Sequence, residues 1–227
     1  PNLIHENIFL DFVKTLKELK YSIEYKIVNC PDYGVPQHRR RLVLLASRFG
    51  KIDLIPPLYD EEHYITVRDA IGHLQPIEAG EICINDSLHR SSALSEINME
   101  RIRQSVPGGT WRDWDENLKL RCHRKASGAT FPSVYGRMEW DRPSPTMTTQ
   151  FYGYGNGRFG HPEQDRAISL REGAILQSFP EDYIFADEQH PVKKRELGTH
   201  IGNAVPVELG RAIGISIQEH LKEMEVN

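Results

Sequence analysis

Nine consecutive residues, Tyr33-Gly34-Val35-Pro36-Gln37-His38-Arg39-Arg40-Arg41, run directly into an apolar stretch. Side chains of an extended chain alternate between faces, so Arg39 and Arg41 share one side and Gln37 aligns with them. Guanidinium groups held at a strand end suit a phosphate or a carbonyl oxygen. The same row also suits an internally paired structural arrangement, and composition does not separate the two. A second pattern, Gly155-Asn156-Gly157-Arg158-Phe159-Gly160, satisfies the glycine spacing of a dinucleotide loop. That loop needs a strand before it and a helix after it, and His161-Pro162 follows at once. Flanked by Tyr152, Tyr154 and Arg158, it fits close approach by a flat or polyanionic ligand better than NAD. A third segment, Ile201-Gly202-Asn203-Ala204-Val205-Pro206, offers an asparagine that can cap a following helix or bind a carboxylate.

The elements that position these groups are partly legible. Ile8, Phe12, Leu16 and Leu19 form one stripe of an amphipathic helix. Ile23, Tyr25 and Ile27 alternate with charged residues as a half-buried strand. A turn through Pro31 to Pro36 leads into Arg41–Ala46, which reads as a strand buried on both faces. Between Arg48 and Ser133 the pattern is irregular. Thr66 to Asp69 caps a short helix there, and Ser95 to Arg103 forms another. Ser169-Leu170-Arg171-Glu172 is a capping box whose helix is expected to stop at Phe179-Pro180. Pro206 opens a last helix with Leu209, Ile213, Ile217 and Leu221 on its inner stripe.

Composition narrows the class. The 227 residues are 39 % hydrophobic and 26 % charged, with a net charge of -4, which fits a folded globular chain rather than a disordered one. No apolar run approaches a membrane span, and no signal peptide is expected. Three cysteines, Cys30, Cys83 and Cys122, are odd in number and dispersed, which fits a reducing cytoplasm better than a disulfide framework. No metal site is expected. Charge is uneven: residues 51–100 carry 3 basic and 10 acidic side chains, and residues 101–142 carry 9 and 5. The basic tract suggests a surface facing a polyanion, or simply a solvated face.

Taken in order, these blocks resemble the C-terminal half of the DNA (cytosine-5) methyltransferases. Gly34 to Arg41 matches G-V-P-Q-x-R-x-R. Arg142-Pro143-Ser144-Pro145-Thr146 resembles R-P-x-x-T, and Arg171 to Pro180 resembles R-E-x-A-x-L-Q-x-F-P. Gly202 to Pro206 matches G-N-[SA]-V-P. The resemblance implies an α/β fold: part of a Rossmann-like, S-adenosylmethionine-dependent methyltransferase sheet domain plus a smaller mixed α/β target-recognition domain. Residues 1–60 and 196–227 would belong to the catalytic domain, and 61–195 to target recognition. It implies a reaction in which C5 of a cytosine flipped out of duplex DNA receives a methyl group.

By the same resemblance Arg39 and Arg41, supported by Gln37, would hold the base carbonyl and nearby phosphate, and Asn203, Ala204 and Val205 would touch the cofactor. Loops near 134–141 and 149–160 would read DNA, with Tyr135, Arg137, Arg142, Thr146, Gln150, Tyr152, Tyr154 and Arg158 as contacts. Arginine to guanine and glutamine to adenine are the usual bidentate pairings. The family's Pro-Cys-Gln nucleophile and Glu-Asn-Val acid do not occur in these residues. The chain is therefore expected to be a fragment or one subunit of a split enzyme, inactive alone and partnered by the N-terminal half as well as by duplex DNA. Its expected setting is the bacterial cytoplasm, acting at the nucleoid, in restriction-modification or related DNA methylation. The alternative is a non-catalytic DNA-binding or regulatory module of the same fold.

Overall fold

The computed structural model describes residues 2–125, 127–187 and 189–225. Helix α1 (Asn7–Glu18) leads into strand β1 (Ser22–Asn29). A single 3-10 turn over Cys30–Tyr33 closes on Gly34, whose φ of 80° is one that glycine adopts without penalty. Strand β2 (Arg40–Ser47) returns antiparallel to β1, in register from Asn29↔Arg40 to Ser22↔Ser47. The middle of the chain holds α2 (Val67–Ile71), the two-residue β3 (Ile82–Cys83), β4 (Asp86–Arg90) and α3 (Glu96–Gln104). Then come α4 (Leu170–Leu176), α5 (Lys194–Asn203) and α6 (Val207–Glu225). Thr66 and Ser169 each make both hydrogen bonds of a capping box, so α2 and α4 start where their sequences say.

Two main apolar clusters organise these elements. The first joins Val28, Cys30, Val43, Leu45, Ile52 and Leu54 to Leu209 and Ala212 of α6. The second surrounds α2 and α4 and takes in Met138, Met147, Phe151, Phe159 and Ile201 of α5. Between them, Gln37 pairs in parallel with Ser144, and His38 N donates to Ser144 O at 2.8 Å. The arginine-rich segment therefore lies on the seam.

Several expectations about faces are corrected. In α1 the buried residues are Phe9 and Val13, while Ile8, Phe12 and Leu19 are exposed, because only the β1 side of the helix is covered, as by the Phe9–Tyr25 edge contact. In β2, Val43, Leu45 and Ser47 are buried but the alternate residues are only half-buried, so one face rather than two is fully covered. The inner face of α6 carries Leu209, Ala212, Ser216 and His220, leaving Ile217 and Leu221 exposed. Two polar groups on that face are used: Ser216 Oγ accepts from Ile55 N, and His220 Nε2 lies 2.7 Å from Ser47 Oγ. Helix α4 ends at Leu176, before Phe179-Pro180, and the chain turns at Ser178 with φ 60°. Ile201 to Asn203 close α5 instead of forming a turn, so Asn203 does not cap α6.

Candidate functional site

Four stretches distant in sequence meet at the seam. Gln37 Nε2 donates to Leu176 O at 3.1 Å and to Gln177 Oε1 at 3.0 Å. Its Oε1 accepts from Met147 N at 2.8 Å and Arg39 Nη1 at 3.3 Å. Arg39 also donates through Nη1 to Met147 O at 3.0 Å and through Nη2 to Gly202 O at 3.1 Å, 163 residues along the chain. Gln177 Nε2 completes the lattice on Ile201 O at 2.7 Å and Gly202 O at 3.3 Å. All three side chains are buried. Gly202 makes the closeness possible: a Cβ there would stand 2.3 Å from Thr148 O. Among the described residues no carboxylate pairs with Arg39, and its buried Nε has no hydrogen-bond partner. A guanidinium held on neutral acceptors keeps its positive charge uncancelled.

Above this lattice opens a cleft of about 470 Å³ lined by Asn29, His38, Arg39, Arg40, Arg41 and Thr146. Arg41 is half-buried there, its Nη1 resting on Arg40 O at 2.9 Å. Thr146 Oγ1 donates to His38 O at 2.6 Å, so the threonine of the second block pins the rim of the first. Thus Arg39, Arg41 and Gln37 come together with the 144–147 block and the closing block, as one arrangement. Cys30, at the foot of the same strand pair, is no thiolate: burial pushes its thiol up to about 11, against the opposing pull of Arg41.

The expected reading loops divide. Arg142, Thr146 and Gln150 are exposed. Tyr152 is half-buried, with Lys194 Nζ 5.8 Å from its ring centroid and Gly198 beneath it, where a Cβ would come within 2.2 Å. Arg158 is half-buried, donates to Gly109 O at 2.7 Å, and burial holds its guanidinium below the usual arginine range. Tyr135, with φ 60°, packs among Trp114, His123 and Tyr154. Two residues are corrected outright. Arg137 is buried and donates to Ile102 O, Ser105 O, His161 O and Gln164 O as well as to Asp165. Tyr154 is buried with its hydroxyl 2.8 Å from Ser105 Oγ. Both are internal ties, with their polar atoms committed to partners within the fold.

Asn203 is exposed, Ala204 half-buried and Val205 61 % exposed. They form an open edge beside Gly202. Sequence reasoning missed Gln177 as a member of the lattice, although it stands in the Leu176-Gln177 pair of a quoted block. It also missed Asn29, which the β1–β2 register sets opposite Arg40, and His38 on the cleft.

The folded chain has the mixed α/β architecture of the DNA methyltransferases. It superposes with a TM-score of 0.69 on a putative DNA modification methyltransferase encoded within an E. coli prophage, at 21 % identity, covering 96 % of this chain and 67 % of that one. The model of the C-5 cytosine-specific DNA methylases matches residues 2–219, and the chain belongs to that family. It is 54 % identical over 215 residues to the Type II methylase M.HgiDII of Herpetosiphon aurantiacus, covering 95 % of this chain and 60 % of that protein. It is 33 % identical to the Type II methyltransferase M1.HphI of Haemophilus parahaemolyticus, across 91 % of this chain and 50 % of the relative. The chain thus spans between half and three-fifths of the length of these two curated relatives. Among the described residues no helix is long and apolar enough to cross a membrane.

Proposed function

We propose that this chain supplies the base-gripping and DNA-reading part of a cytosine-5 DNA methyltransferase, with an extruded cytosine held at the cleft of Arg41. The observation that carries this reading is the lattice of Gln37, Arg39 and Gln177, which fixes the strand from which Arg41 enters the cleft. Arg39 works from below: its Nη atoms are committed to backbone and amide oxygens, so it holds Arg41 in place and adds positive potential. Arg41 is then the guanidinium placed to meet a base carbonyl, where donors set in advance stabilise negative charge as it develops. S-adenosylmethionine, when bound, supplies the electrophilic methyl group, and Asn203, Ala204 and Val205 would form one wall of its site. Thr146 holds the rim of the cleft through His38 O. Arg142 and Gln150, exposed four residues to either side of Thr146, are the side chains left to read duplex DNA, with the half-buried Tyr152 and Arg158 in support.

The nucleophilic thiol and the acid come from polypeptide other than residues 1–227. The raised pKa of Cys30 supports that assignment, since attack needs a thiolate. The apolar residues left open on α1 and α6, Ile8, Phe12, Ile217 and Leu221, are where such polypeptide would pack. Methyl transfer from labelled cofactor tests the reading. The chain alone is expected to give none, and together with a polypeptide carrying Pro-Cys-Gln and Glu-Asn-Val it is expected to turn over. Arg41→Ala abolishes that turnover without unfolding the chain. Methylation by the chain alone, or full activity of the variant, overturns it.

A further inference from the structure

We infer that His38 and Arg40 form a subsite for a DNA phosphodiester on the outer lip of the Arg41 cleft. The inference rests on the function proposed above and adds residues that the matched motif leaves as variable positions. Alternation along the extended segment is the first ground. Gln37 and Arg39 turn inward and are buried, so His38 and Arg40 turn outward and are exposed. Both line the cleft with Arg41 and Thr146. The second ground is pairing. Among the described residues, neither the His38 ring nor the Arg40 guanidinium has a hydrogen-bond or ion-pair partner, and no carboxylate lines the cleft. Some exposed arginines elsewhere on this surface do find a carboxylate, as Arg68 does at 2.8 Å on Asp141 and Arg103 at 3.4 Å on Asp165. Only here, among the described residues, do an unpaired arginine and an unpaired histidine line one opening with Arg41.

The third ground is the charge beneath. Arg39 contributes a guanidinium without a counter-ion, so three arginines and a histidine face one opening with nothing negative between them. The opening is wide rather than enclosed, which suits a polymer passing across it more than a small anion held within. A phosphodiester brings one negative charge to such a place and releases its condensed cation when bound. His38 O, held by Thr146, keeps the backbone of the lip in position while the two side chains reach outward.

The test is duplex affinity against salt, read by fluorescence anisotropy of a labelled oligonucleotide. The proteins are wild type, Arg40→Gln, His38→Gln and Arg48→Gln. Arg48 is exposed just past the far end of β2, on the order of 25 Å from Arg40 at ~3.3 Å per residue, and serves as the control. Wild type binds with an affinity that falls as salt rises. In Arg40→Gln the slope of log affinity on log salt shrinks by about one, as for one lost phosphate contact. His38→Gln shrinks it less, and Arg48→Gln leaves it unchanged. Equal slopes for wild type and Arg40→Gln, or equal losses from Arg40 and Arg48, overturn the subsite while the proposed function stands. An unchanged slope accompanied by weaker assembly with the complementary polypeptide would show the lip meeting a protein carboxylate instead. No duplex binding by wild type overturns the proposed function and the subsite with it.

Discussion

Two buried arginine networks of this chain treat their charge in opposite ways. Around α4, Arg166 sets both Nη atoms on the Glu172 carboxylate at 2.7 Å, and Arg137 reaches Asp165. Around the seam, Arg39 sets its Nη atoms on Gln37, Met147 O and Gly202 O, with no carboxylate among the described residues. Burying a charge is costly unless it is paired and hydrogen-bonded. The first network meets that demand in full and has no net charge left to offer. The second meets it only with dipoles, and the positive charge that survives lies under Arg40 and Arg41. Around α4 the paired guanidiniums are internal ties, and at the seam the one without a counter-ion lies beneath the cleft where the proposed function has negative charge arrive. Arg101, also buried without a carboxylate, is held instead by Leu118 O, Asn98 and the rings of Trp114 and Tyr135.

The sharpest way to break the comparison is to remove a counter-ion from the neutral network. Glu172 is buried and also accepts from Ser169 N at 2.6 Å, so Glu172→Gln keeps the shape but faces an amide toward Arg166. Leaving a buried charge unpaired costs about 3–5 kcal/mol. Urea unfolding is expected to show a loss of that size.

The same operation at the seam should cost less in stability and more in function. Arg39→Met removes a charge that had no counter-ion. Gln37 Oε1 keeps Met147 N, and Gly202 O keeps Gln177 Nε2, so Met147 O is the acceptor left without its donor. One unsatisfied buried carbonyl costs about 1–3 kcal/mol. Duplex affinity at low salt should nonetheless fall, because positive potential beneath the cleft is lost. A variant as unstable as Glu172→Gln with undiminished affinity would erase the distinction between the networks.

What was legible in the residues follows the range of the interaction that decides it. Capping boxes at Thr66 and Ser169 are local, and both formed as read. The order of the motif blocks announced the family, and the Gln37–Arg39 alternation announced which side chains would meet. Helix α5 was not legible. It has no side-chain cap and carries Gly198 and Gly202, poor helix formers, yet it forms because only glycines let it sit against Tyr152 and Thr148 O. Arg137 could not be told from a DNA-reading arginine by charge or spacing. Its fate was set by carbonyls from 24 to 35 residues away that the fold turned toward it. The inner faces of α1 and α6 shifted for a related reason: a stripe of apolar residues states what a helix can bury, and the neighbours decide what it does bury.

The gentlest discrimination between the networks is pH, because only one of them titrates. His161 sits within the α4 network, its carbonyl accepting from Arg137 and its Nδ1 accepting from Gln164 N at 2.9 Å, which keeps that nitrogen unprotonated. Burial holds its ring at about 4, with Arg166 and Arg137 adding to the effect and Glu172 opposing it. The 3.8 Å approach of His161 to Glu172 is therefore not an ion pair at neutral pH. Unfolded, the ring takes its proton near 6.5, so between 6.5 and 4 the unfolded chain binds more protons and stability falls as pH falls. For Glu172 burial pushes the carboxyl up, but Arg166 more than offsets this and holds it at about 2, against 4.5 unfolded. Its contribution is present above 4.5 and is lost as pH drops from there toward 2. Amides, carbonyls and a guanidinium titrate nowhere in this range, so the seam adds no slope. Urea midpoints taken from pH 7.5 downward should decline for wild type and, in parallel, for Arg39→Met. His161→Asn, whose Oδ1 can still accept from Gln164 N, should make the decline above about pH 4.5 shallower, leaving the part that comes from His123, whose ring burial also holds below 6.5. A curve for His161→Asn with the wild-type shape, or one for Arg39→Met with a changed shape, would place the titration in the wrong network.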